Sequence, residues 1–266
     1  MKPSGLVVGV VALCWSSPVL AADRLTDRDV KALVSRIEEG RNRFDDALDD
    51  KLKRSIVRGP SGEVNVDHFL NDFQASIDKF EERLTPDYAA SAEAATLLRQ
   101  ASAIDRFFRQ QPARTRGESE WSRLATDLKT LAVAYGADFP LRENAAVRRI
   151  GDRELAASVE EIGRTADLLK KALDTDLKKD ATVDKQSRQA IVGEADQLKK
   201  DAKLLRDRVN DAEPSSAEAD RLLARAAKLQ AFIGSRQVPT SASAWTNAGD
   251  HLQSVASAYG TSWPGR

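Results

Sequence analysis

The chain has 266 residues, enough for one large domain or two small ones. Charged residues make up 31% and balance, 41 Lys+Arg against 41 Asp+Glu, which excludes a generally basic face and so argues against nucleic acid or a strongly anionic membrane surface as main partner. Aromatic content is only 6% and alanine is frequent, a composition suited to closely packed helices.

The first residues point to export. Lys2 supplies a small positive charge, and Leu6 to Trp15 is an apolar run the length of a signal-peptide core, too short to cross a bilayer. Val19 and Ala21 are small enough for the −3 and −1 positions, so residues 1–22 are expected to be a signal peptide cleaved after Ala21 or Ala22. The mature chain is then expected to be periplasmic or secreted. Cys14, the only cysteine, lies inside this segment, and Leu13 before it is not the small residue a lipoprotein needs. Without thiols, the mature fold must rest on its core. No later segment approaches the ~18 apolar residues of a transmembrane helix, so it is expected not to span a membrane.

Thr26, with Asp29 three residues on, reads as the N-cap of a first helix. Val30, Leu33, Val34, Ile37, Phe44, Leu48 and Leu52 continue one face at helical spacing. Arg58-Gly59-Pro60-Ser61-Gly62 reads as a breaker. A second helix carries Val66 to Leu84 and stops at Thr85-Pro86. A third carries Ala94 to Phe108. A fourth carries Trp121, Leu124, Leu128, Leu131 and Tyr135 and stops at Gly136. No segment shows sustained strand alternation.

The pattern then recurs. Trp121, Leu128, Ala132, Ala134, Tyr135, Gly136 and Pro140 match Trp245, Leu252, Ala256, Ala258, Tyr259, Gly260 and Pro264 at an offset of 124. Upstream the offset is 125: Asp27-Arg28 matches Asp152-Arg153, and the apolar stripes around Phe44 and Leu98 match those around Leu169 and Leu223. Apolar positions are kept while charges drift, as expected of a shared core under a free surface. The expected fold is all-α: two tandem four-helix bundles from an internal duplication, residues 25–140 and 150–264, with 141–149 as linker or helical bridge. Tyr-Gly appears twice because each bundle needs its own helix stop, and glycine takes the left-handed position there without a Cβ clash.

Chemistry is hard to find. His68 and His251 lie far apart, the position matching His251 is Asp127, and neither has a partner at the H-E-x-x-H spacing. No C-x-x-C-H haem site appears, Met1 is the only methionine, and neither histidine has the Glu three positions earlier that a di-iron bundle uses. Asp45/Asp49 and Asp46/Asp50 would form two acidic columns on one helix, read as a solvated face. Arg106, Arg109, Arg114 and Arg116 form a basic patch fitted to an acidic partner or an anionic envelope polymer, with a solvated loop as the plainer reading. Trp121, Tyr135, Trp245 and Tyr259 fall on apolar faces and read as core. No G-x-S-x-G elbow and no phosphate-cradling glycine loop is present.

The fourth-helix motif W-x5-[D/H]-L-x2-[L/V]-A-x-A-Y, residues 121–135 and 245–259, resembles one found in uncharacterised exported helical proteins of bacteria. The resemblance covers one helix per half and implies export, with no activity attached. No catalytic, cofactor-binding or metal residue is assigned, and no cofactor is expected. The expected function is a non-catalytic binding or structural module of the bacterial envelope, its partner an unknown protein or envelope component. The alternatives are a carrier or sensor of a small apolar ligand in a bundle cavity, or an enzyme with Asp127 and Asp250 as suspects. The non-catalytic reading rests on the two halves sharing packing positions and helix stops but no polar constellation.

Overall fold

The computed structural model describes residues 23–59, 62–110 and 116–264. The expected signal peptide, residues 1–22, lies outside the described residues. The chain is 73% helix, with ten helices and one two-stranded sheet among the described residues, and none of the helices is long and apolar enough to cross a membrane.

Helix α1 (Asp27–Ala47) starts as its sequence dictates. The Thr26 hydroxyl accepts the Asp29 N–H at 3.1 Å, and the Asp29 carboxylate accepts the Thr26 N–H at 3.0 Å, a reciprocal capping box. Burial pushes the Asp29 carboxyl upward, but the Thr26 hydrogen bonds outweigh it and hold it below its ordinary value. Val30, Leu33, Val34, Ile37 and Phe44 form the buried stripe.

The helix ends earlier than its periodicity predicts. Leu48 is extended, at φ −77° and ψ 138°. Asp49 then caps the one-turn helix α2 (Asp50–Lys53) by accepting the Leu52 N–H at 2.9 Å. The two acidic columns expected on one helix therefore do not exist, because the helix breaks between their members. The breaker at 58–62 also proves to be part of a hairpin. Strands β1 (Ile56–Gly59) and β2 (Gly62–Asn65) pair antiparallel, with Val57 opposite Val64 and Gly59 opposite Gly62. Four-residue strands are too short for alternation to register; Val57 is buried in the core.

Helices α3 (Val66–Arg83), α4 (Ser91–Arg109) and α5 (Glu118–Ala134) follow. α1 packs against α3 and α5, and α4 packs against the same two, closing a ring around one apolar core. Phe44, Phe108 and Trp121 cluster inside it, with the Phe44 and Trp121 ring centroids 5.3 Å apart.

The second core lies among α6 (Asp152–Lys179), α7 (Lys185–Asn210), α8 (Ser216–Ser235), α9 (Pro239–Trp245) and α10 (Ala248–Ala258). Here α6 and α7 are long and joined by a short loop, with no hairpin between them. The fourth helix expected from Trp245 onward is instead split, so that Trp245 ends α9 and α10 begins at Ala248. Pro239 at the first turn of α9 supplies a new start upstream of the tryptophan.

Both Tyr-Gly stops behave alike. Gly136 (φ +67°) donates to the Val133 carbonyl at 3.0 Å, and Ala137 to that of Ala132 at 2.9 Å. Gly260 (φ +66°) donates to Ser257 at 3.2 Å, and Thr261 to Ala256 at 2.9 Å. Each is a Schellman motif, satisfying carbonyls that the helix end leaves open.

Residues 141–149 are neither helical nor loose. Leu141 is buried in the first core, and its N–H donates to the buried Ser102 hydroxyl at 2.7 Å. Arg148 N–H donates to Tyr135 O at 2.9 Å, and Arg149 N–H to Ser91 Oγ at 3.1 Å. The segment is strapped to the first core along its length.

Candidate functional site: a polar clamp and an arginine-lined cleft

Two polar features stand out once the fold is in place. The first joins the two cores. Asp27 and Asp152 are the first residues of α1 and α6. The Asp27 N–H donates to Asp152 Oδ2 at 2.7 Å, and the Asp152 N–H donates to Asp27 Oδ2 at 2.9 Å. Each carboxylate thus meets an open donor at the positive end of the other helix.

An arginine three residues upstream of each aspartate crosses over in the same way. Arg24 donates to Asp152 Oδ1 and, at 2.6 Å, to Ile150 O. Arg149 donates to Asp27 Oδ1 at 2.6 Å. The arginine side chains are nearly sealed, 7% exposed for Arg24 and 2% for Arg149. Outside them, Arg28 reaches Ala212 O at 3.4 Å, and Arg153 pairs with Asp87 at 2.6 Å. Ala212 stands 125 positions after Asp87, so this outer pair of contacts also repeats at the upstream offset.

This overturns one expectation. The two segments do share a polar constellation, Arg24/Asp27 and Arg149/Asp152. Only Asp27 and Asp152 are legible in the stripe comparison. The signal for the rest was an R-x-x-D-R spacing at residues 24–28 and 149–153. It straddles the boundaries expected at 25 and 150 and so escapes a comparison made within them. Tyr135 adjoins the clamp and donates its hydroxyl to Ala89 O at 2.6 Å; burial raises its pKa well above the ordinary tyrosine value. Tyr259, half-buried, shares a 2.7 Å hydrogen bond with Ser215 Oγ, and burial raises its pKa too.

The second feature is a cleft of about 390 Å³ on the first core, lined by Arg58, Arg99, Arg106 and Arg142 with one acid, Glu143. Arg99 and Arg106 lie on α4 seven residues apart, about two turns, hence on one face with roughly 10 Å of rise between them. Ser102 sits between them. Its hydroxyl donates to Leu98 O at 2.7 Å and accepts the Leu141 N–H at 2.7 Å, which fastens residue 141 to α4, and the next residue, Arg142, lines the same cleft as the two helical arginines. Arg58 comes from β1, which packs on α4, and is paired with Glu63. Arg99, Arg106 and Arg142 form no ion pair among the described residues, although ion pairs are plentiful elsewhere on this neutral chain.

The sequence candidates disperse. His68 is exposed on α3, with Nε2 3.7 Å from Asp72. His251 is half-buried on α10, in the other core. Asp127 pairs with Arg36 at 3.4 Å, and Asp250 lies in the first turn of α10. Asp45 pairs with Lys53 at 2.6 Å and with Arg41 at 3.4 Å. Among the described residues no cluster of three or more His, Cys, Asp or Glu is placed to hold a metal ion. In the basic patch, Arg109 is consumed by Asp105, whose other oxygen accepts the Trp121 indole N–H at 3.1 Å. Arg114 lies outside the described residues, and Arg116 is exposed. Of the described members of that patch, Arg106 alone lines the cleft. Trp121 and Trp245 are buried, and the Trp245 indole donates to Gln230. No protein-family model, no curated protein and no solved structure matches the chain.

Proposed function

We propose that the chain is a non-catalytic binding or structural module of the bacterial envelope, exported to the periplasm or beyond after loss of residues 1–22. It consists of two copies of one four-helix unit, residues 25–140 and 150–264, joined by 141–149. The observation that carries this reading is the clamp. Arg24 with Asp27 and Arg149 with Asp152, polar residues common to both segments, fasten one core to the other. A pair of carboxylates whose oxygens are engaged by buried guanidinium groups and by helix N–H donors is a fastener between two elements. The reciprocal crossing at a constant spacing also supports a duplication, since two copies of one unit meeting face to face exchange the same contacts twice.

Cell fractionation and mass analysis of the purified protein test export: the expected mature chain begins at residue 22 or 23. Affinity capture from an envelope extract tests the binding reading, with a retained envelope component expected. Strong turnover on a hydrolase substrate panel by partner-free protein overturns it.

A further inference from the structure

We infer that the Arg99–Arg106–Arg142 cleft is a binding site for a multiply phosphorylated soluble anion or polymer segment. The inference rests on the binding-module reading and names its ligand chemistry. Three arginines from two elements, α4 and the 141–149 segment, line one cleft. Arg99 and Arg106 stand on one face of α4. Arg142, which lines the same cleft, follows Leu141, fastened to α4 by the buried Ser102–Leu141 hydrogen bond. Exposed like charges repel, and a chain with 41 basic and 41 acidic residues has acids enough to pair them. On the second core such pairing is carried through: Lys170 and Lys200 both hold Asp196, while Arg225 and Lys228 both hold Glu194. Among the described residues that line the cleft, Glu143 is the one acid, and Arg58 is already engaged by Glu63.

Guanidinium forks match the oxygens of phosphate groups, two N–H donors to two oxygens, and three arginines lining one cleft suit an anion with more than one phosphate. The volume of about 390 Å³ admits a short phosphorylated segment. The balanced surface outside the cleft disfavours a whole anionic bilayer as the source. The positions 125 residues after Arg99 and Arg106 are Ala224 and Ala231, so the site belongs to the first core alone.

The test is calorimetric titration of the whole mature protein with inorganic tripolyphosphate at low and at physiological salt. Binding that weakens as salt rises is expected. Arg99→Gln and Arg106→Gln each weaken it roughly tenfold. Arg164→Gln, an exposed arginine paired with Glu160 and Glu161 on α6, leaves it unchanged. Both cleft arginines are exposed, so melting temperature is expected to hold and folding failure is separated from lost binding. Absence of binding at millimolar tripolyphosphate overturns the site, as does equal loss in the Arg164→Gln control. A second arm uses phosphatidylglycerol vesicles: co-sedimentation that tripolyphosphate does not displace also overturns it, whereas no sedimentation supports a soluble source. If the wild-type protein binds no tripolyphosphate yet still captures an envelope component, and the Arg99→Gln and Arg106→Gln proteins capture it equally, the ligand assignment fails and the binding-module reading stands. Steady release of orthophosphate from tripolyphosphate retains the site and defeats the non-catalytic reading.

Discussion

Asp27 and Asp152 cap each other's helices: the first N–H of α1 is bonded by the carboxylate that opens α6, and the first N–H of α6 by the carboxylate that opens α1. The two cores are thus joined by main chain as well as side chain, at the only ends of these helices where donors stand open. A buried arginine on each side completes the charge balance.

Removing one member strands its partners. Asp152→Ala leaves the Arg24 guanidinium, 7% exposed, without its carboxylate and uncaps Asp27. An uncompensated buried charge costs about 3–5 kcal/mol, read as a fall in urea-unfolding free energy. The Arg24→Ala/Asp152→Ala double variant is expected to lose less than the two singles added together. Strict additivity would show that the pair does not act as a unit.

The two helix stops are expected to be matched in energy. Gly136 and Gly260 sit at φ +67° and +66°, and a Cβ at either meets at most the Arg148 carbonyl at an ordinary 3.6 Å. Gly136→Ala and Gly260→Ala therefore carry only the left-handed backbone penalty, about 1–2 kcal/mol each. Thermal melts of both variants check this, and a much larger loss at either would reveal crowding that this geometry lacks.

The opposite sign is expected at Gly193. It lies exposed in the interior of α7, its backbone is helical, and a Cβ there meets nothing within 4 Å. Gly193→Ala should stabilise by about 0.5–1 kcal/mol, through helix propensity and a less flexible unfolded chain. Denaturant midpoints give the sign directly.

Tyr135 predicts alkaline fragility. Burial raises its pKa above the ordinary value of 10.0, so the folded state favours the neutral phenol. That contribution is complete below pH 10 and fades as pH rises toward the folded value, because the unfolded chain ionises first. Tyr135→Phe should flatten this alkaline loss while sacrificing the bond to Ala89 O. Phenolate absorbance followed against pH is the measurement. Ionisation of this residue at the ordinary value in folded protein would contradict its burial.

What the sequence determined by itself was local. The Thr26 capping box, the apolar stripes of α1, α3 and α4, and the glycine stops at 136 and 260 all depend on residues within a turn or two of each other, so spacing alone exposes them. The helix break at Leu48, the β1–β2 hairpin and the division of α9 from α10 were decided by tertiary structure. Short strands leave no period to read, and Leu48, though its backbone is extended, still buries its side chain in the core, so its apolar spacing continues through the break. The clamp and the cleft lay further out of reach. Arg24 finds Asp152, and Arg142 joins Arg99 and Arg106, only after helices have packed and a buried serine has fastened residue 141. Charges have no periodicity to betray their partners; where they end up depends on the packed apolar faces beneath them.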